Sequence, residues 1–169
     1  MSALGPEVLG RILDEHAAAL VLYARQWCDS PEDVVQEAVL ALVRQRTPPA
    51  EVAPWLFRVV RNGAIAAARR SGRRHRREQA VAAARDDWFL PTEGDGLDAA
   101  AASAALAGLP LEEREAIVAR LWGGLSFDQI GKLSGTSSST AHRRYQTGLA
   151  ALRERLGVTC PDENPPKKN

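Results

Sequence analysis

The stretch SFDQIGKLSGTSSSTAHRRYQTGLAAL, from Ser126 to Leu152, predicts the fold of the C-terminal part of the chain. Ser126 is a good N-cap, and Gln129 lies three residues later, where it can complete a capping box. Gly135 can adopt the left-handed conformation that ends a helix, while Thr136 and Ser137 can form the turn and cap the next helix. The stretch therefore predicts two short helices joined by a tight turn.

The second of these helices has an apolar face and a polar, basic face. Helical spacing predicts a buried stripe of Ala141, Tyr145, Gly148, Leu149 and Leu152. The opposite face carries side chains that can hydrogen-bond base edges and phosphates, namely Ser139, His142, Arg143 and Gln146, with Arg144 beside them. Such a face fits the major groove of DNA, and the alternative is an ordinary amphipathic hairpin whose polar face is merely solvated. Gly131, inside the first helix, lies where crossing helices need a close approach.

Length and composition describe a helical globular protein. The 169 residues can form one domain or two small ones, and the abundant alanine, leucine and arginine favour helix. No apolar run reaches the roughly 20 residues that span a bilayer, and the N-terminus does not resemble a signal peptide. We therefore expect no membrane insertion and a cytoplasmic protein.

The cysteine and histidine residues do not form a metal-ligand pattern. Cys28 and Cys160 are far apart, and His16, His75 and His142 lie in separate segments. The chain also lacks a nucleophile and base, or a phosphate-binding loop, at a plausible spacing. We expect no enzyme, no metal and no cofactor, and we interpret both cysteines as buried or incidental.

The net charge of +1 hides an uneven distribution. Residues 1–85 carry 13 arginines and 9 acidic residues, whereas residues 86–169 carry 9 basic and 12 acidic residues. Eight arginines and no acidic residue lie between Arg58 and Arg77. This run is either a solvated basic helix end or a site for a polyanion such as nucleic acid.

Residues 1–85 contain three predicted helices. The first runs from Pro6 to about Cys28, and a second begins at Ser30 with Asp33 as the partner in a capping box. The outward edge of this second helix is acidic and polar. Carboxylates are common at helix N-termini because they interact favourably with the helix dipole, so this edge also has an ordinary structural explanation. The third begins near Pro54 and places aromatic groups beside arginines, a combination suited to stacking on unpaired bases. For Trp55, however, we first interpret the side chain as part of the hydrophobic core.

Proline, glycine and acidic residues in 86–97 predict a linker, so the chain is divided into two domains. The C-terminal domain adds helices from about Asp98 to Ala107 and from Leu111 to Trp122, ended by glycines. The segment 158–169 has too few apolar residues to order itself. The expected fold is all-α, with two small helical domains on a flexible linker and a C-terminal helix-turn-helix of winged-helix-like type.

Two blocks of sequence together resemble the sigma-70 family of bacterial RNA polymerase sigma factors, in its extracytoplasmic-function group. SPEDVVQEAVLAL followed by WLFRVVRNGAIAAARR is similar to region 2 of that family. LPLEEREAIVARLWGGLSFDQIGKLSGTSSSTAHRRYQTGLAALRERL is similar to region 4. The resemblance implies region 2 in residues 1–85, a linker in 86–97, region 4 in 98–157 and a disordered tail in 158–169.

The resemblance also implies roles for individual residues. Binding of core RNA polymerase is implied for Asp33, Gln36 and Glu37. Contact with the minus-10 promoter element is implied for the loop 44–54 and for Trp55, Arg58, Arg61, Asn62, Arg69 and Arg70. Contact with the minus-35 element is implied for Ser138, Ser139, His142, Arg143, Arg144 and Gln146. The implied partners are core polymerase, promoter DNA and, as in many members of this group, an anti-sigma factor.

The function expected from the sequence is promoter recognition and transcription initiation, with the chemistry left to the polymerase. One alternative is a stand-alone helix-turn-helix regulator that uses residues 1–85 for dimerisation or sensing. Another is an RNA-binding or interaction protein that uses the arginine run from Arg58 to Arg77.

Overall fold

The computed structural model describes residues 4–75 and 99–157, and every regular element in these two ranges is an α-helix. The N-terminal unit consists of α1 (Pro6–Ala24), α2 (Pro31–Val43) and α3 (Val52–His75). The C-terminal unit consists of α4 (Ala99–Ala107), α5 (Leu111–Leu121), α6 (Phe127–Ser134) and α7 (Ser138–Leu156). The all-α prediction is confirmed, and no strand that could form a wing lies within the described ranges. The predicted linker, 86–97, and tail, 158–169, lie outside them.

The N-terminal unit is a bundle whose three helices pack on one another in every pair. Proline at the first position of α1 and α2 suits a helix start, because the missing N–H has no partner within the helix there. The predicted capping box at Ser30 is wrong, since the Ser30 side chain makes no capping hydrogen bond. Its backbone, at φ −124° and ψ 61°, lies outside the extended conformation usual for a capping residue.

The helix-turn-helix forms as the sequence predicts. The Ser126 hydroxyl accepts a hydrogen bond from the Gln129 N–H at 3.2 Å, and the Gln129 side-chain oxygen accepts one from the Ser126 N–H at 2.9 Å. Gly135 ends α6 in the left-handed conformation, with φ 70°. Ser137 caps α7 by accepting a hydrogen bond from the Thr140 N–H at 3.1 Å. Both caps satisfy backbone donors that a helix leaves unpaired at its start.

Two glycines allow close approaches inside the C-terminal unit, and the prediction for Gly131 is confirmed. A Cβ atom at Gly131 would lie 2.8 Å from the Thr136 carbonyl oxygen, in the turn that follows α6. A Cβ atom at Gly148 would lie 2.7 Å from Cδ1 of Ile117, where α7 crosses α5. The turn therefore requires a residue without a side chain at Gly131, whereas a Cβ atom at Gly148 would require the end of the Ile117 side chain to move.

One apolar core runs through both units. Its fully buried side chains include Leu20, Tyr23 and Phe57 from the N-terminal unit and Ile117 and Leu125 from the C-terminal unit. Helix α1 packs on α5, and α3 packs on α6. Burial of each such side chain contributes about 1.5–3 kcal/mol. The two units are therefore packed against each other in this structure.

Within the described ranges, no helix combines the length and the apolar character needed to cross a bilayer.

A substitution at Gly131 tests the packing of the turn that follows α6. Gly131→Val should lower the free energy of unfolding by about 1–3 kcal/mol, because the side chain would push against backbone atoms. Gly10→Val is the matched control, since nothing lies within 4 Å of a Cβ atom at Gly10 in α1. Urea unfolding of both variants measures the difference, and equal stabilities would contradict the close approach.

Candidate nucleic-acid interface

The polar face of α7 is open to solvent. Ser138, Ser139, His142, Arg143 and Gln146 are exposed, and Arg144 is half-buried. The His142 ring packs edge-on against Phe127 with 4.8 Å between ring centroids, and its Nε2 lies 3.4 Å from Nε2 of Gln146. The predicted buried stripe on the other side of α7 is buried or half-buried throughout. Helix α7 therefore presents a polar, basic surface, and its His142 ring is packed against Phe127.

The acidic edge of α2 is also exposed. Asp33, Gln36 and Glu37 all face solvent, and Leu40 on the next turn is 45% exposed. Val34, Val35, Ala38 and Leu42 are buried on the opposite side of the helix. Helix α2 thus presents an exposed acidic edge, with the apolar Leu40 one turn beyond it.

Helix α3 carries the predicted basic surface. Arg58, Asn62, Arg69 and Arg70 are exposed. The side chains of Arg73 and Arg74, and all of Arg76 and Arg77, lie outside the described part of the structure. Four of the six predicted minus-10 residues are therefore exposed on this helix.

Trp55 is half-buried and packs against the core, so the interpretation as a core residue is only partly correct. Its other side lines a cleft of about 280 Å³ between the start of α3 and helix α6. Arg58 lines the same cleft, opposite Gln129 and Lys132. The Gln129 amide donates a hydrogen bond across the cleft to Oε1 of Glu51 at 2.8 Å. The C-terminal unit therefore lies against two of the predicted minus-10 residues.

Arg61, another predicted DNA-binding residue, is bound within the protein. Its Nε donates a hydrogen bond to Oε1 of Glu115 at 2.7 Å, and the Tyr23 hydroxyl donates to the same oxygen at 2.6 Å. Glu115 belongs to α5 and is only 3% exposed, whereas Tyr23 and Arg61 belong to α1 and α3. One buried carboxylate therefore connects the two units.

Aromatic rings enclose this contact. Tyr23 packs edge-on against Trp27 and Phe57, with ring centroids 5.0 and 4.9 Å apart. The Arg61 guanidinium lies 5.7 Å from the Trp27 ring centroid, within the range of a cation–π interaction. A Cβ atom at Gly123 would lie 2.6 Å from Cζ of Phe57, so the α5–α6 connection approaches the same group of rings. The rings therefore pack around the two side chains, Tyr23 and Arg61, that bind the buried carboxylate.

The environment changes the proton affinity of both donors. Burial, then the charge of Glu115 and the hydrogen bond to it, raise the pKa of the Tyr23 phenol well above its usual range. For Arg61, burial opposes the charge, but the hydrogen bond to Glu115 and its charge prevail and raise the pKa. Both donors are therefore held in their protonated forms beside the carboxylate.

The sequence reasoning did not identify Glu115 or Tyr23. A signal for Glu115 does exist, because it lies three residues before Val118 and four before Ala119, on the buried side of α5. A carboxylate on an apolar face needs a partner, since an unpaired buried charge is costly. The partner itself could not be found this way, because Tyr23 is 92 positions distant.

The cysteine interpretation is confirmed for Cys28, which is buried with its thiol 3.5 Å from the Ala24 carbonyl oxygen. Cys160 lies outside the described residues. Among residues 4–75 and 99–157, no three His, Cys, Asp or Glu side chains come together as metal ligands.

Comparisons with known proteins agree with this arrangement. Residues 12–74 match the Sigma-70 region 2 family, and residues 99–152 match the Sigma-70, region 4 family. RNA polymerase sigma factor CarQ of Myxococcus xanthus is 33% identical over 134 residues, which cover 75% of this chain and 74% of CarQ. The chain belongs to the sigma-70 family, in its extracytoplasmic-function group. This family is not known for enzymatic activity.

Two solved structures share the fold. RpoE of Bartonella quintana, in complex with the anti-sigma factor NepR, superposes with a TM-score of 0.71 and 22% identity, covering 89% of this chain and 97% of RpoE. CnrH, in complex with the cytosolic domain of CnrY, gives a TM-score of 0.60 and 21% identity, with 92% of each chain covered. The arrangement of helices in this sigma factor is therefore that of known family members.

The buried phenol predicts a dependence of stability on pH. The folded pKa of Tyr23 lies above its value in the unfolded chain, which is about 10. The contribution of the Tyr23 phenol to the free energy of unfolding is therefore fully present below about pH 10. It is lost as the pH rises through the raised pKa.

Ultraviolet absorbance of the phenolate tests this expectation. The difference in phenolate absorbance between the wild type and Tyr23→Phe reports the ionisation of Tyr23. In the folded wild type, this ionisation should occur above about pH 10. The loss of stability at alkaline pH should also be smaller in Tyr23→Phe. A Tyr23 signal that titrates at the usual pKa would show that the phenol is not held against Glu115.

Proposed function

We propose that this sigma factor binds core RNA polymerase through α2 and reads the promoter with α3 and α7. Membership of the sigma-70 family carries the general function, which is to direct promoter recognition and transcription initiation. The observation that carries the assignment is the match of regions 2 and 4, in that order, to the two helical units. The roles of individual residues are the proposal.

Polymerase binding is assigned to Asp33, Gln36 and Glu37. These side chains are exposed on one edge of α2, while the other side of the helix is fixed in the core. A rigid helix with exposed carboxylates can form charge-assisted hydrogen bonds with a basic partner surface. Leu40, exposed one turn later, adds an apolar contact to the same surface.

Promoter contacts are divided between the two units. The exposed face of α7 carries groups suited to base edges and phosphates of duplex DNA, which fits the minus-35 element. Trp55 and the exposed basic surface of α3, with Arg58, Asn62, Arg69 and Arg70, fit the opened minus-10 element, since aromatic and arginine side chains hold single strands. Two weak readers on one scaffold reach useful affinity through effective concentration, so we expect the free protein to bind duplex DNA poorly.

Further assignments follow from the same family membership. The chain supplies no chemistry of its own, because bond formation belongs to the polymerase. It acts in the cytoplasm, where core polymerase is found. An anti-sigma factor is proposed as a regulatory partner, in line with the complex of RpoE with the anti-sigma factor NepR. Neither a stand-alone regulator nor an RNA-binding protein accounts for the presence of both sigma-70 regions.

The polymerase surface can be tested by run-off transcription and by pull-down with core enzyme. Asp33→Ala combined with Gln36→Ala should lose at least about tenfold in affinity for core polymerase, the equivalent of about 1.4 kcal/mol. Helical content should not change, because both side chains are exposed.

Asp14→Ala is the matched control for charge, since Asp14 is exposed on α1, away from the acidic edge of α2. It should bind core enzyme as the wild type does. Undiminished binding of the double variant would reject α2 as the polymerase surface. Failure of the wild-type chain to direct any transcription with core enzyme would reject the sigma-factor assignment itself.

The recognition face of α7 can be tested on a promoter selected with the wild-type holoenzyme. Arg143→Ala should weaken promoter binding by the holoenzyme by about 1–3 kcal/mol and relax preference at its base pair if it reads a base. If Arg143 contacts a phosphate, the loss should instead be similar for all sequences and the salt dependence should fall.

Arg153→Ala provides the control on the same helix, because Arg153 is exposed near the C-terminal end of α7. Footprinting and transcription should change little in this variant. Equal effects of the two substitutions would indicate that only overall charge matters and that α7 does not use this face for recognition.

A further inference from the structure

Two of the exposed side chains on α7 contact each other. His142 and Gln146 lie four residues apart, so they are neighbours on one face of the helix. The side-chain nitrogen of Gln146 lies 3.4 Å from Nε2 of His142, the length of a long hydrogen bond. A carboxamide nitrogen can only donate, so the imidazole nitrogen accepts and the ring carries its proton on Nδ1. His142 therefore acts on Gln146 as a hydrogen-bond acceptor.

The His142 ring is held in place by contacts with neighbouring side chains. The Phe127 ring meets it edge-on, with 4.8 Å between centroids and 83° between the ring planes, a favoured geometry for aromatic pairs. Phe127 is fixed in turn by Tyr145, whose ring centroid is 5.4 Å away, and by the Arg120 guanidinium 4.9 Å from its own centroid. Arg120 also donates to the Leu125 carbonyl oxygen at 2.9 Å. The acceptor nitrogen of His142 thus has a defined position.

This contact determines which groups Gln146 can offer to DNA. One of its two N–H groups faces His142, which leaves the other N–H and the oxygen free. A glutamine binds adenine with these two groups, by donating to N7 and accepting from the N6 amino group. The amide turned over would direct both N–H groups at DNA, as the N7 and O6 acceptors of guanine require. His142 disfavours the turned amide, because two acceptor atoms would then face each other.

We propose that Gln146 reads an adenine of the minus-35 element and that His142 is the positioning residue that gives Gln146 this preference. The inference rests on the proposed minus-35 role of α7. Because Phe127 holds the imidazole before DNA binds, less freedom is lost when the adenine contact forms. Contacts to phosphates fix the register of the helix but do not distinguish bases. The choice of adenine therefore depends on the pair of His142 and Gln146.

Binding of the holoenzyme to altered promoters tests this assignment. A promoter selected with the wild-type holoenzyme is changed at each minus-35 base pair in turn to the other three pairs. At one pair the wild type should prefer adenine to guanine by about tenfold. Gln146→Ala should abolish the preference at that pair and so identify it. In His142→Ala the preference should fall to about threefold, because the freed amide can turn over.

Two further substitutions at His142 separate positioning from a merely structural role. Lysine offers donors and no acceptor, so His142→Lys should bind the Gln146 oxygen and turn the N–H groups to DNA. The preference at the same pair should then change from adenine to guanine. His142→Gln retains an acceptor and should keep a preference for adenine, smaller than that of the wild type because this side chain can also donate. A loss of helix stability would not give opposite base preferences.

Thr147→Lys is the matched control for the charge that His142→Lys introduces. Thr147 is exposed on α7 and adjoins Gln146 in the chain, but consecutive residues of a helix do not face each other. The added charge should strengthen binding to every promoter variant to a similar extent and increase the salt dependence. The preference for adenine should not change. Circular dichroism checks that each variant keeps the helical content of the wild type.

An adenine preference that falls in His142→Ala and becomes a guanine preference in His142→Lys supports the proposal. A wild-type preference for another base or for none at the Gln146 pair overturns it. An adenine preference that either of these two substitutions leaves unchanged also overturns it. In these cases the effect of Arg143→Ala still decides whether α7 reads the minus-35 element. If the wild-type holoenzyme binds no promoter, the proposed function and the adenine assignment are both overturned.

Discussion

The contact on which the rest of the arrangement depends is the buried carboxylate of Glu115, which accepts hydrogen bonds from Tyr23 and Arg61 through one oxygen atom. A buried charge is tolerated only when its hydrogen-bonding capacity is met, so Glu115 on α5 specifies which surfaces of α1 and α3 it must face. Rings of Trp27 and Phe57 complete the enclosure. Satisfying this group constrains how the two units pack, together with the apolar core that they share.

Each of the two units of this sigma factor has its own packed helix pairs, and in the C-terminal unit Ser126 and Ser137 cap α6 and α7. A shared apolar core and the polar contact of Glu115 join the two units, while the faces of α2 and α7 are exposed.

Much of the architecture could be predicted because its signals are local. The capping box of Ser126 and Gln129 and the left-handed Gly135 each depend on residues within a few positions, and each forms as expected. Ser30 shows the limit of local reasoning, since the residue types suit a capping box but the chain enters α2 in another conformation. The environment of Trp55 was harder to predict, because its side chain contributes to both the core and the cleft.

The sequence by itself determined the helices, the helix-turn-helix and the membership of the sigma-70 family. Periodicity, capping residues and family motifs each depend on residues that are close together in the chain. Only the tertiary structure decided that Arg61 is bound to Glu115 and that α6 faces the start of α3 across a cleft. Those partners are 54 or more positions apart, and no pattern in the chain states which buried carboxylate meets which donor. The exposed faces could be predicted from sequence, whereas the closure of one unit on the other could not.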